Sequence, residues 1–315
     1  MITVQSRQIQ KLENDMGPEL MRYLHDPKVV EIMLNADGQV WVERLGESPK
    51  ASCHVAPAQA MGILTTIAGY HHLEVSATKP ILECELPIDG SRFAGQIPPI
   101  VPAPTFSIRK KAISVFSLEQ YRDSSIISEH QYDVIIDAVR NHRNILVVGG
   151  TGSGKTTLVN AVISKMTDIN NKERIVIIED TGEIQCTAPN YVQFHTSYEV
   201  SMTDLLKTTL RMRPDRILVG EVRGPEALDL LMAWNSGHEG GAATLHANDA
   251  AAGLSKLELL ISMHPQAPRD IPLLVSQCVH LVIHIARTQT GRKVRSIIRL
   301  TGFDRQSGKY LYETL

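Results

Sequence analysis

Eight residues leave few folds open to this chain: Gly149-Gly150-Thr151-Gly152-Ser153-Gly154-Lys155-Thr156, a complete match to G-x-x-x-x-G-K-[ST]. Ile145-Leu146-Val147-Val148 before it reads as a buried strand, and Thr156 to Met166 after it reads as a helix with Leu158, Val162, Ile163 and Met166 on one stripe. Glycines let the backbone turn its N–H groups inward at a helix N-terminus, which makes a concave anion nest. Lys155 adds a point charge for β- and γ-phosphates, and the Thr156 hydroxyl can ligate Mg²⁺. The phosphate-binding set is therefore Gly149, Gly150, Thr151, Gly152, Ser153, Gly154, Lys155, Thr156 and Thr157, and it implies a nucleoside triphosphate.

A length of 315 residues points to two domains. Arg7 to Leu24 places Ile9, Leu12, Met16, Leu20 and Leu24 at helical spacing, an amphipathic helix expected to pack on its own domain. Val29 to Leu34, an Asp37-Gly38 turn and Val40-Trp41-Val42 read as a hairpin; a helix over 58–68 and strands over 81–86 and 92–97 follow. This predicts a smaller α+β domain over 1–103. Ile97 to Pro104, with Pro98, Pro99, Pro102 and Pro104, suits a stiff extended link, and a linker is expected over 104–127. From Ser128 onward, strands at 144–148, 174–178, 216–219, 241–245 and 281–285 alternate with helices at 201–210 and 225–234. That alternation predicts a mainly parallel, doubly wound α/β domain over 128–315.

Charge is balanced, with 32 basic against 34 acidic residues, and the dense basic cluster at Arg109-Lys110-Lys111 is too short to support direct nucleic-acid binding. The four cysteines are scattered without a C-x-x-C pair, which favours reduced thiols in the cytoplasm. Residues 1–10 lack the apolar run of a secretory signal, and no apolar stretch nears the length of a membrane span. Any membrane contact is expected to be peripheral.

The segments around the loop narrow the chemistry. Asn171-Lys172 does not continue into a guanine-reading N-K-x-D, so ATP is expected. Arg216-Ile217-Leu218-Val219-Gly220-Glu221 occupies the acidic-strand position, but Gly220 stands where most such enzymes place a Mg²⁺-holding aspartate. Parallel strands end at the ligand crevice, which makes Glu221 the first candidate to orient the attacking water, with Mg²⁺ held through water. Glu179, also at a strand end, is the second candidate. Asp180 and Glu183 serve either the site or a turn. His246 follows the strand 241–245 and is a candidate sensor of the γ-phosphate. His238 is less defined, and His280 and His284 share one strand face as solvated or core side chains.

Four segments in order resemble the VirB11/TrbB-type secretion and conjugal transfer ATPases: the phosphate loop, Ile177 to Glu183 as the acidic box, Leu210 to Gly224 as the Walker B region, and Gly237 to Asn248 as the histidine box. Asp89-Gly90-Ser91-Arg92 and Phe106-Ser107-Ile108-Arg109-Lys110 extend the likeness weakly into the N-terminal half. The resemblance implies a RecA-like P-loop NTPase domain and a homo-hexamer that hydrolyses ATP with Mg²⁺. The hexamer would power conjugal DNA transfer or type IV secretion, beside machinery at the cytoplasmic face of the inner membrane. It also implies that Arg92 and Arg109 act as arginine fingers, and that Arg213 and Arg223 work between subunits or in ion pairs. Four rivals stay open: a nucleic-acid-stimulated RecA-like translocase, a type II secretion or type IV pilus motor, a small-molecule kinase, and a purely structural nucleotide switch.

Overall fold

A computed structural model describes residues 4–45, 47–111, 116–197, 199–289 and 291–315. Two compact units divide between Ile113 and Ser114. In the first unit, α1 (Val4–His25), β1 (Val29–Leu34), β2 (Gln39–Arg44), β3 (Lys50–His54), α2 (Pro57–Tyr70), β4 (Ile81–Glu85), β5 (Arg92–Gln96) and β6 (Thr105–Arg109) follow one another. The strands make one antiparallel sheet in the order β3-β2-β1-β6-β5-β4. Alternate residues Ile32, Leu34, Val40, Val42, Phe93, Phe106 and Ile108 are buried against Leu12, Met16, Leu20 and Leu24 of α1 and Ile63, Leu64 and Ile67 of α2. The apolar stripe of α1 is thus spent on its own sheet. α1 is kinked at Gly17 (φ 72°), just ahead of Pro18, which removes a helical donor and clashes with the preceding turn.

The segment 104–127 is not a free connection. Thr105–Arg109 sits in the middle of the first sheet, bonded to β1 on one side and β5 on the other. At the other end of that segment α3 (Leu118–Asp123) belongs to the second unit, where Leu118 and Tyr121 join the core.

The second unit continues with α4 (Glu129–Arg140), β7 (Ile145–Gly149), α5 (Lys155–Ile169), β8 (Ile175–Glu179), β9 (Tyr191–His195), α6 (Met202–Thr209), β10 (Arg216–Val219), α7 (Glu226–Trp234), β11 (Ala242–His246), α8 (Ala250–Ser262), α9 (Ile271–Cys278), β12 (Leu281–Thr288), β13 (Gly291–Asp304) and β14 (Lys309–Thr314). The strands form one sheet in the order β14-β13-β12-β7-β11-β10-β8-β9, parallel from β12 to β9 and antiparallel at β13 and β14. β7, β8 and β10 are buried along their whole length, which is why they read as unbroken apolar runs. Helices cover both faces. Ile145 and Val147 look toward α3, α4 and α5, while Leu146 and Val148 look toward α7, α8 and α9. Ser117, Ser128 and Ser201 open α3, α4 and α6 with reciprocal capping boxes. The C-terminal ends of β7, β11, β10 and β8 deliver Gly149, His246, Val219 and Glu179 to one edge, where ligands bind in open parallel sheets.

Candidate functional site

The loop after β7 has the backbone that its glycines require. Gly152 (φ 68°) and Gly154 (φ 96°) are left-handed, and Gly154 caps α5 without a side chain. A Cβ at Gly149 would run into the Ile285 carbonyl, so close strand packing fixes that glycine. Ser153 is buried, and its Oγ lacks a hydrogen-bond partner within the loop. Lys155 is 7% exposed; its Nζ donates to the carbonyls of Gly149 and Gly150, both at 3.1 Å, and to His246 Nδ1 at 3.3 Å.

From Lys155 the contacts run on in a chain. With Nδ1 accepting, the other imidazole nitrogen carries the proton, and His246 Nε2 lies 2.9 Å from Glu221 Oε1. Glu221 Oε2 accepts from Arg223 Nη2 at 2.6 Å, and Arg223 Nη1 donates to Asp180 at 3.2 Å. Burial alone would raise the Glu221 carboxyl; Arg223, His246 and Lys155 outweigh it and hold the group below the ordinary glutamate range. The carboxylate is therefore ionised at neutral pH and sits one imidazole away from the phosphate-loop lysine.

A second line of contacts runs from the helix. Thr156 Oγ donates to Glu183 Oε2 at 3.3 Å. Asn160, buried on α5, donates to the Glu183 carbonyl and accepts from the Gln185 N–H at 3.1 Å, which straps the acidic loop to the helix. Hard oxygen ligands of this kind suit Mg²⁺ bound to a nucleotide. Among the described residues no group of three or more His, Cys, Asp or Glu forms a metal cage, so phosphate oxygens would have to complete the shell.

Glu179 stands apart from these groups, contrary to the reading that placed it second in line for the water. It is 2% exposed, and both carboxylate oxygens are taken: Oε1 by the N–H groups of Glu183 (3.1 Å) and Ile184 (2.8 Å), Oε2 by Gln193 Nε2 (2.6 Å). Burial pushes its carboxyl up, against the pull of those three donors. Glu179 thus holds the acidic loop, and through it Glu183. It also accounts for Gly220. A Cβ at that position would lie 2.9 Å from Glu179 Cγ and 3.1 Å from Oε1, so an aspartate and this buried carboxylate exclude each other.

Residues 13–307 match the type II/IV secretion system protein family. The chain belongs to that family. Over 297 residues this secretion-family chain is 44% identical to the conjugal transfer protein TrbB of Rhizobium radiobacter, covering 94% of itself and 91% of that protein. It is 32% identical to the type IV secretion system protein VirB11 of Bartonella quintana over 325 residues, with 87% and 89% covered. Among solved structures, it covers 94% of itself and 96% of the VirB11 ATPase of the Brucella suis type IV secretion system, in complex with sulphate, at 26% identity and TM-score 0.50. The pilus retraction motor PilT with bound ADP, at 19% identity and TM-score 0.62 over 94% and 82%, shares the fold. Membership in that family makes this chain a secretion-system protein. No helix among the described residues is long and apolar enough to cross a membrane.

Of the remaining candidates in the secretion-family chain, Arg92 and Arg109 are direct cross-strand partners on β5 and β6, with Glu31 opposite Arg109 on β1. His238 Nδ1 is 3.0 Å from the Pro214 carbonyl, at the strand-entry end of the sheet rather than the crevice. His280 Nδ1 accepts the Asn144 N–H at 2.9 Å, and burial lowers its basicity. Glu183, left open between site and turn, meets Thr156. Gln193, Asn160 and Arg292 went unread, because their places at the loop depend on strand order and not on any local motif.

Proposed function

We infer that this chain hydrolyses ATP with Mg²⁺ and uses the energy for conjugal DNA transfer or type IV secretion. It would work as a homo-hexamer at the cytoplasmic face of the inner membrane, beside the membrane components of that machinery. The observation that carries the reading is the chain Lys155–His246–Glu221–Arg223, which joins the phosphate loop to an ionised carboxylate on the next strand but one. Likeness to the protein TrbB favours conjugal transfer over a pilus motor.

Each side chain has a task in phosphoryl transfer to water, which needs positioning and charge neutralisation more than covalent help. Lys155 and the N–H groups of the loop take the β- and γ-phosphate oxygens. Thr156 and Glu183 would hold Mg²⁺, with Glu221 through water; the ion supplies charge neutralisation across those oxygens. Glu221 orients and accepts a proton from the attacking water. His246, bridging Lys155 and Glu221, changes partners when Lys155 turns toward phosphate and so reports γ-phosphate occupancy to β11. Arg92 and Arg109 supply finger cations to the transition state.

Mg-ATP turnover without added acceptor tests the reading. Lys155→Ala is expected to abolish binding and turnover, whereas Glu221→Gln binds ATP with turnover lowered at least a hundredfold, on the order of the loss of one general base. Full turnover in Glu221→Gln removes Glu221 from its role. Failure of Lys155→Ala to support mating in a strain lacking the native gene ties turnover to transfer.

A further inference from the structure

Residues 286–303 hold five cations (Arg287, Arg292, Lys293, Arg295 and Arg299) and no acidic residue. Within this stretch Arg287 and Arg292 are direct cross-strand partners in the β12–β13 hairpin, so both leave it on the same face. Like charges placed opposite each other weaken a hairpin. Both are exposed, and among the described residues neither pairs with a carboxylate.

Arg292 also leans on the phosphate loop. Its Nε reaches the Gly152 carbonyl at 3.4 Å, and its Cδ would lie 2.8 Å from a Cβ on Gly154, the residue that caps α5. The N-terminal end of α5 is already positive through its dipole and through Lys155. A guanidinium added there without a counter-charge is unfavourable until an anion arrives.

Strand order says which part of the anion it meets. Glu221, His246 and Glu183 approach from β10, β11 and the loop after β8, all on one side of β7, whereas β12 and β13 lie on the other. The carboxylate side faces the reacting γ-phosphoryl group. The arginine side is left for the end that does not react.

We propose that Arg292, with Arg287 beside it, binds the α-phosphate end of the nucleotide from within the same subunit and contributes to affinity but not to the chemical step. The proposal rests on the ATPase reading above. Contacts shared by ground and transition states raise KM when removed and leave kcat unchanged.

Dissociation constants of the full chain for ADP and for ATP, measured calorimetrically at fixed ionic strength, test it. Arg292→Ala is expected to weaken both nucleotides by the same factor, about tenfold for one charge-assisted contact open to solvent. Arg292→Lys, which keeps the charge but loses the fork, falls between, and Arg287→Ala weakens both to a smaller degree. KM for ATP rises in step while kcat holds, and the melting temperature without nucleotide does not fall below the wild-type value, since the variant also relieves the Arg287–Arg292 repulsion. Unchanged affinity for both nucleotides in Arg292→Ala overturns the proposal, and so does weakened binding of ATP alone, which would put the arginine at the γ-phosphate. Loss of single-stranded DNA binding with nucleotide affinity intact overturns it too, by giving the hairpin to nucleic acid. In each of those cases wild type still binds ATP and Lys155→Ala does not, so the ATPase reading survives; a wild type that binds neither nucleotide sinks that reading instead.

Discussion

Gly220→Ala isolates the conflict between a missing aspartate and a buried glutamate. Gly220 has no left-handed φ, so its backbone accepts alanine and the added Cβ is the whole perturbation. That atom would sit 2.9 Å from Glu179 Cγ, where carbons in contact keep about 3.5 Å or more, so Glu179 must withdraw by roughly 0.6 Å. Its bonds from Ile184 N–H (2.8 Å) and Gln193 (2.6 Å) do not survive such a move at full strength. Hydrogen bonds to a charged group contribute about 1.5–3 kcal/mol each, so weakening two costs up to about 3–6 kcal/mol. The assay is urea unfolding followed by Trp234, the buried tryptophan of the second unit, in a Trp41→Phe background. The control is a double-mutant cycle: in Glu179→Ala the obstructing Cγ is gone, and Gly220→Ala should then be neutral to within about 1 kcal/mol. If the substitution costs the same in both backgrounds, steric exclusion is not why residue 220 is glycine. ATPase activity should fall with the single mutant, since Glu183 moves with the loop that Glu179 holds.

Further outcomes follow from the charge pattern. Glu221 has a depressed folded pKa, so its contribution to stability is complete above the ordinary value of 4.5 and is lost as pH falls through the lower folded value; Glu221→Gln should flatten acid unfolding below pH 4.5. Unaltered acid unfolding in that variant contradicts the ion cluster around Glu221. Arg216 is fully buried at the start of β10 and pairs with Glu173, so Arg216→Ala leaves that buried carboxylate with only His142 and Asn170 and should cost about 3–5 kcal/mol in thermal unfolding. Arg216→Met combined with Glu173→Leu should recover most of that loss; a double variant no better than the single one counts against the pair.

What could be read beforehand follows how local each feature is. β7, β8 and β10 were legible because strands buried on both faces are largely apolar runs, and the phosphate loop was legible because its ligands lie within a few residues. β6 was hidden: a run of prolines precedes Phe106 and Ile108, and three cations follow, so two buried side chains in a short strand looked like a connection. The vacancy of aspartate at Gly220 was plain in the sequence, but its cause was not, since Glu179 lies on another strand. Glu183 took its place beside Thr156 through backbone bonds to Glu179, and Arg292 reached Gly152 from 140 residues away. Such pairings depend on the order of strands in a sheet, which no periodicity records.

The position of β6 bears on how the first unit would carry load. The last strand of the first unit is not at an edge; it runs between β1 and β5 with hydrogen bonds along both flanks. A load entering this unit through the chain after β6 therefore reaches the sheet at its middle and not at an edge. Two rows of bonds, to β1 and to β5, would have to break to free it, whereas an edge strand is held by one. A load on β6 is thereby shared with both halves of the first sheet.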